Sequence, residues 1–176
     1  MKKAIIVTVI IILAISFSIV GFEIFEFSRI PKEYRNQSIS FINKDINWSE
    51  NINKIKSRLG EYSVTSNSFN NEKTYHFKSS YDSYKIEILL ATPSSLSKYI
   101  SDVTYVFYVN DDTRREAYNK LKAELKNECI KNNITIETDN DNDWMFEASK
   151  SSSTYGITYT LLEENANIIL NISLQY

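Results

Sequence analysis

Apolar residues divide the chain into one long uncharged run and a following region of short, periodic segments. The run, Ala4–Phe22, contains nineteen residues and no charged side chain. As an α-helix it would extend roughly 28 Å, which is close to the hydrocarbon thickness of a bilayer. No later segment is as long without a charge. The pattern therefore predicts an N-terminal membrane helix in residues 1–22, with the remaining chain as a soluble part.

The flanks of this run fit both an uncleaved anchor and a secretory signal. Lys2 and Lys3 precede it, and Ser16-Phe17-Ser18 is its best small-x-small cleavage motif. Cleavage there would leave an apolar N-terminus, so we expect an anchor, with a secreted protein as the alternative. The lysines abut the run, whereas Glu23 and Glu26 come first on its other side. This asymmetry favours a cytoplasmic N-terminus and an outside domain.

Two amphipathic segments predict helices in the soluble part. The first runs from Ser49, a capping residue, to Leu59 and ends at Gly60. The second begins with the capping-box pattern Thr113–Glu116 and carries an apolar stripe to Cys129. Residues 23–47 have mixed charge and a proline, which is typical of a juxtamembrane stalk.

Period-two alternation of apolar residues predicts strands between and after these helices. A short helical turn is expected at Thr92–Tyr99, where Pro93 follows a capping threonine. The predicted strands centre on Tyr62–Val64, Thr74–Lys78, Tyr84–Leu90, Val103–Val109, Ile134–Ile136, Trp144–Phe146, Ile157–Leu161 and Ile168–Leu174.

These elements predict an α+β domain over residues 48–176, with an antiparallel sheet packed by helices on one face. A helix followed by three strands occurs twice, at an offset of 72 residues between Gly60 and Asn132. Few side chains match at this offset. Two αβββ halves are therefore a hypothesis, and a coincidence of common elements is the alternative.

Composition excludes several classes of function. The net charge is −2, so no broad basic field would attract nucleic acid. Only three glycines occur, too few for a phosphate-binding loop that needs several. A single cysteine, Cys129, cannot form an internal disulfide. Stability must come from packing.

Candidate chemistry is sparse. His76 is the sole histidine, and alternation places it opposite Tyr75 and Phe77, toward solvent. A nucleophilic dyad with Cys129 would need that base nearby, but the cysteine completes an apolar stripe typical of a buried, inert thiol. The acidic run Asp139–Asp143 is similar to the start of a calcium loop. It lacks the glycine and the final glutamate of such loops, so a polar hairpin turn is expected, and weak calcium binding is the alternative.

We therefore predict no catalytic, cofactor-binding or metal-binding residue. The preferred function is that of a membrane-anchored, extracytoplasmic binding or accessory protein of the inhibitor or immunity type. Its partners would be the membrane, through residues 4–22, and another protein or envelope component. One alternative is an envelope enzyme or assembly factor with scattered residues. Another is a structural subunit of a membrane complex, whose helix would pack through small residues such as Ala14 and Ser18.

Overall fold

The structure, a computed structural model, describes residues 2–67, 72–94, 97–140, 142, 144–152 and 155–175. Its helices are α1 (Lys2–Arg29), α2 (Lys32–Arg35), α3 (Ile52–Leu59) and α4 (Arg114–Lys131). Its strands are β1 (Tyr62–Ser66), β2 (Lys73–Tyr81), β3 (Tyr84–Thr92), β4 (Asp102–Tyr108), β5 (Thr135–Asn140), β6 (Met145–Ser151), β7 (Gly156–Glu164) and β8 (Asn167–Gln175).

Helix α1 contains the long apolar run. For residues 4–10, 13, 14 and 19 of that run, the side chains lie outside the described part of the chain. Within the described part, no helix combines the length and apolarity that a membrane crossing requires. The membrane anchor stays a prediction.

All eight strands form one antiparallel sheet in the order β1-β2-β3-β4-β8-β7-β6-β5. The predicted α+β class with an antiparallel sheet is confirmed. Helices α3 and α4 each precede four strands rather than three, because β4 and β8 each extend a set. These two last strands pair at the centre, so the strand order reads the same from either edge.

The core lies on one face of the sheet. Alternate residues of β4, β7 and β8 are fully buried, and they join buried residues of α3 and α4 in one hydrophobic cluster. The intervening residues are partly or fully exposed. This is the alternation that the sequence predicts, and it leaves the second face of the sheet open.

Residues 30–48 also supply the core. Ile30, Tyr34, Ile39, Ile46 and Trp48 are each at most 2 % exposed and belong to the same cluster. Their spacing follows neither a helix nor a strand, since only the short α2 and an isolated bridge between Ser38 and Asn47 are regular. This segment therefore packs as irregular chain.

Several local predictions are corrected at the ends of elements. Helix α3 is capped by Asn51, whose side chain accepts from the N–H of Asn53 at 2.9 Å, and not by Ser49. Thr113 precedes α4 without a capping hydrogen bond, because its hydroxyl donates to the carbonyl of Asn110. Thr92 ends β3, and the described residues 93, 94 and 97–99 are not helical, whereas residues 95 and 96 of the expected helical turn lie outside the described part.

Candidate functional site

A row of aliphatic side chains crosses the centre of the open sheet face. Val106 of β4 pairs with Ile169 of β8, which pairs with Leu162 of β7, which in turn pairs with Met145 of β6. All four are partly exposed. Directly opposed residues on one sheet face have Cβ atoms about 5 Å apart, so the row is contiguous. We call it the aliphatic row.

Polar side chains border the aliphatic row. The adjacent row in register contains Thr104, Asn171, Thr160 and Glu147 on the same four strands. Within it, the amide of Asn171 donates to the hydroxyl of Thr104 at 2.9 Å. An apolar centre with a polar border is the arrangement found in protein–protein interfaces.

A hydrogen-bonded chain of four side chains lies on the β1–β4 half of the same face. His76 Nε2 is 3.0 Å from Thr65 Oγ1, and His76 Nδ1 is 3.0 Å from Glu87 Oε1. Tyr108 donates its hydroxyl to Glu87 Oε2 at 3.0 Å, and this bond raises the pKa of the tyrosine. A hydroxyl, a histidine and a carboxylate in this order could activate a nucleophile. The hydroxyl, however, belongs to a strand whose five residues are all exposed, so the site does not exclude water.

The structure does not bring His76 and Cys129 together. His76 lies on the open face, whereas Cys129 is fully buried in α4 on the core face. Burial, and to a smaller extent the charge of Glu128, raise the pKa of the Cys129 thiol to about 12. A thiol in such surroundings is a packing residue.

The acidic run at Asp139 also has a structural role. The carboxylate of Asp139 accepts from Lys126 and, at 3.1 Å, from Lys122 of α4. Hydrogen bonds from Lys126 and then Lys122 lower the pKa of Asp139. Asp141 and Asp143 lie outside the described residues. Among the described residues, no three His, Cys, Asp or Glu side chains group as ligands for a metal ion.

A cleft of about 730 Å³ lies between residues 36–44 and α4. We call it the α4 cleft. Its aromatic wall consists of Phe41 and Tyr81, whose ring centroids are 5.9 Å apart and whose planes meet at 66°. The polar lining comes from Asn36, Gln37, Ser38, Ser40, Lys44, Glu124, Asn127, Glu128, Lys131 and Asn132.

Two carboxylates of α4 face this cleft from positions four residues apart. Glu128 Oε2 accepts from the N–H of Phe41 at 2.8 Å, and Glu124 Oε2 accepts the hydroxyl of Tyr81. Burial raises the pKa of Glu128, while the Phe41 N–H and the charges of Lys131 and Lys44 oppose that rise. Burial and then the bond to Glu124 raise the pKa of Tyr81. Glu128 is thus a partly desolvated carboxylate with cations nearby.

A second cavity of about 510 Å³ lies where α1 ends, and its lining includes Arg29, Lys32, Arg35 and Tyr155. Arg35 is held by its neighbours: its guanidinium donates to the carbonyls of Ile30 and Ser28 and lies 4.6 Å from the ring centroid of Phe27. This cation therefore has a structural role at the junction of α1 and the domain.

Sequence reasoning missed the α4 cleft. Glu124 and Glu128 look like members of a mixed, solvated helix face, and Phe41 lies in a segment without periodicity. The only available signal was the i, i+4 spacing of the two glutamates on an otherwise mixed helix. That spacing is common and says nothing about what packs beside it.

Comparison with known proteins gives no relative. No protein-family model, no curated protein and no solved structure matches the chain. The function must therefore be inferred from the site.

Proposed function

We propose that the protein is a membrane-anchored binding protein whose domain faces the outside and recognises another protein through the open face of its sheet. The observation that carries this proposal is the aliphatic row. Four apolar side chains in register on adjacent strands, bordered by polar residues, form the apolar centre that protein–protein interfaces require.

The membrane part of the proposal is supported by the uncharged run Ala4–Phe22. Among its described side chains, Ile12 is 57 % exposed and Phe17 is 75 % exposed. Large apolar side chains with this exposure need a cover, and a bilayer would provide one. Lys2 and Lys3 on the N-terminal side support the outside location of the domain. Sequencing the mature N-terminus separates an anchor from a cleaved signal, because a chain beginning at Ile19 or later would contradict the anchor.

The binding surface can be tested with a photo-crosslinking amino acid at Leu162, in the full-length protein in its native membrane. The expected result is a discrete adduct to a protein partner. The same probe at Lys54, an exposed residue of α3, is the control and should give none. Ile169→Asp should reduce the Leu162 adduct at least tenfold, because it buries a charge at the centre of the interface. Equal adducts from both positions, or none, would contradict the proposal.

An enzyme is the second candidate function, and a specific feature favours it. The α4 cleft holds two carboxylates, and burial raises the pKa of one, Glu128. Glutamates with a raised pKa are typical of general acids. The double variant Glu124→Gln, Glu128→Gln separates the two candidates. If the protein acts by binding through its sheet, the Leu162 adduct should persist unchanged in this variant.

A further inference from the structure

The α4 cleft combines both signs of charge with neutral hydrogen-bonding groups, which is a different chemistry from that of the aliphatic row. Its volume of about 730 Å³ is within the range of small-molecule sites. The anionic part consists of Glu124 and Glu128. The cationic part consists of Lys44 and Lys131, both exposed. A ligand of a single charge would meet repulsion from one of these pairs.

The two glutamates are suited to an ammonium group. They lie four residues apart on α4, so their Cβ atoms are roughly 6 Å apart on one helix face. In each glutamate, one carboxylate oxygen accepts a hydrogen bond: Glu128 from the Phe41 N–H, and Glu124 from the Tyr81 hydroxyl. A carboxylate has about four lone-pair sites, so each glutamate can accept further hydrogen bonds. An ammonium has three donors and can bridge both groups. The rings of Phe41 and Tyr81 add faces that attract a cation.

The partial burial of Glu128 adds a reason for a cationic ligand. Desolvation disfavours its charged form and raises its pKa. A charged group of the opposite sign placed against it would reverse that penalty. The charges of Lys131 and Lys44 oppose this rise in the pKa of Glu128. Cationic and anionic side chains therefore lie beside the same cavity.

We propose that the α4 cleft binds a short peptide by its two charged ends. The free amine lies between Glu124 and Glu128, and the carboxylate lies toward Lys44 and Lys131. Asn36 and Asn127 also line the cleft, and their side-chain amides can bond to peptide groups. This site is separate from the aliphatic row and does not depend on it.

Calorimetric titration of the full-length protein in detergent tests this proposal with trialanine as the probe. Trialanine should bind. N-acetyl-trialanine, which lacks the ammonium, should bind at least tenfold more weakly, and trialanine amide, which lacks the carboxylate, about threefold to tenfold more weakly. Absence of trialanine binding at 10 mM, or equal binding of the three peptides, would overturn the proposal.

Protein variants give each end of the ligand its own control. In Glu128→Gln, acetylation of the peptide should no longer weaken binding, whereas amidation should still weaken it. In Lys131→Gln, amidation should no longer weaken binding, whereas acetylation should still weaken it. Because Lys131 is exposed, this variant remains informative if Glu128→Gln folds poorly. Glu116→Gln, on the same helix but away from the cleft, should leave all three affinities unchanged. If both cleft variants lost affinity for the three peptides equally, the assignment of the two ends would be wrong.

Discussion

The β1–β4 half and the β5–β8 half of the sheet have the same strand order from edge to centre, but different coverings. The helix before the first half, α3, has 8 residues, whereas α4 before the second has 18. These lengths correspond to about 12 Å and 27 Å. Since strands of nine residues extend about 30 Å, the shorter helix cannot cover its half alone.

Residues 30–48 complete the covering of the first half. Ser40 bonds to the buried hydroxyl of Tyr105 on β4 at 2.9 Å, and the ring of Phe41 packs against Tyr81 of β2. The α4 cleft forms where this irregular segment meets the long helix. The cleft therefore lies in the covering of the sheet, where a segment without regular structure contacts a helix.

The sheet edges differ in the same way. All five residues of β1 are exposed, and the strand pairs regularly with β2. In β5 the register shifts between Ile136 and Thr138, and Asp139 is tied to α4 by two lysines. A bulge and charged side chains are devices that protect an edge from further pairing. The edge at β5 thus has two features that disfavour further pairing, whereas β1 pairs with β2 in an unbroken register.

Of the substitutions that test this comparison, Trp48→Ala should lower the stability of the domain the most. Trp48 is fully buried, so its truncation should lower the free energy of unfolding by about 3–5 kcal/mol. Urea denaturation of the full-length protein measures the change. Ile130→Ala is the control, because a side chain that is 68 % exposed should contribute at most about 0.5 kcal/mol. A cost below about 1 kcal/mol for Trp48→Ala would show that the first half does not need residues 30–48.

The helix ends offer a second test. Gly60 ends α3 with a φ of 87°, whereas Asn132 ends α4 with a φ of −99°. A Cβ at Gly60 would meet no atom within 4 Å, so Gly60→Ala costs only the backbone strain of a conformation that side chains rarely adopt, about 1–3 kcal/mol. Asn132→Ala should cost at most about 0.5 kcal/mol. Thermal unfolding of both variants measures the difference between their losses of stability. Equal losses would show that the positive φ of Gly60 has no energetic consequence.

Asp139→Asn should have the smallest effect and a distinct pH dependence. Its ion pairs are partly exposed, so the loss near neutral pH should be about 0.2–1 kcal/mol. The lysines lower the pKa of Asp139 from its usual 3.8, so the stabilisation is present above that value and is lost as the pH falls through the lowered pKa. Denaturation midpoints of the parent and variant should converge in acid. If the two midpoints still differed in acid, the effect of the substitution would come from the packing of β5 and not from the ion pairs.

The sequence by itself determined the α+β class, the two helices of the soluble part and all eight strands. These elements carry their own periodicity, and Gly60 marks the end of α3 because a positive φ favours glycine. The burial of Cys129 followed from the same pattern, since the helix stripe that includes it faces the core.

Only the tertiary structure decided the strand order, the role of residues 30–48 and the α4 cleft. Each depends on contacts between residues far apart in the chain, such as Phe41 with Glu128 and Ser40 with Tyr105. Periodicity reports which side of an element is buried, and it carries no information on which other element buries it. The aliphatic row exists for the same reason. Val106, Ile169, Leu162 and Met145 belong to four different strands, and strand register makes them neighbours.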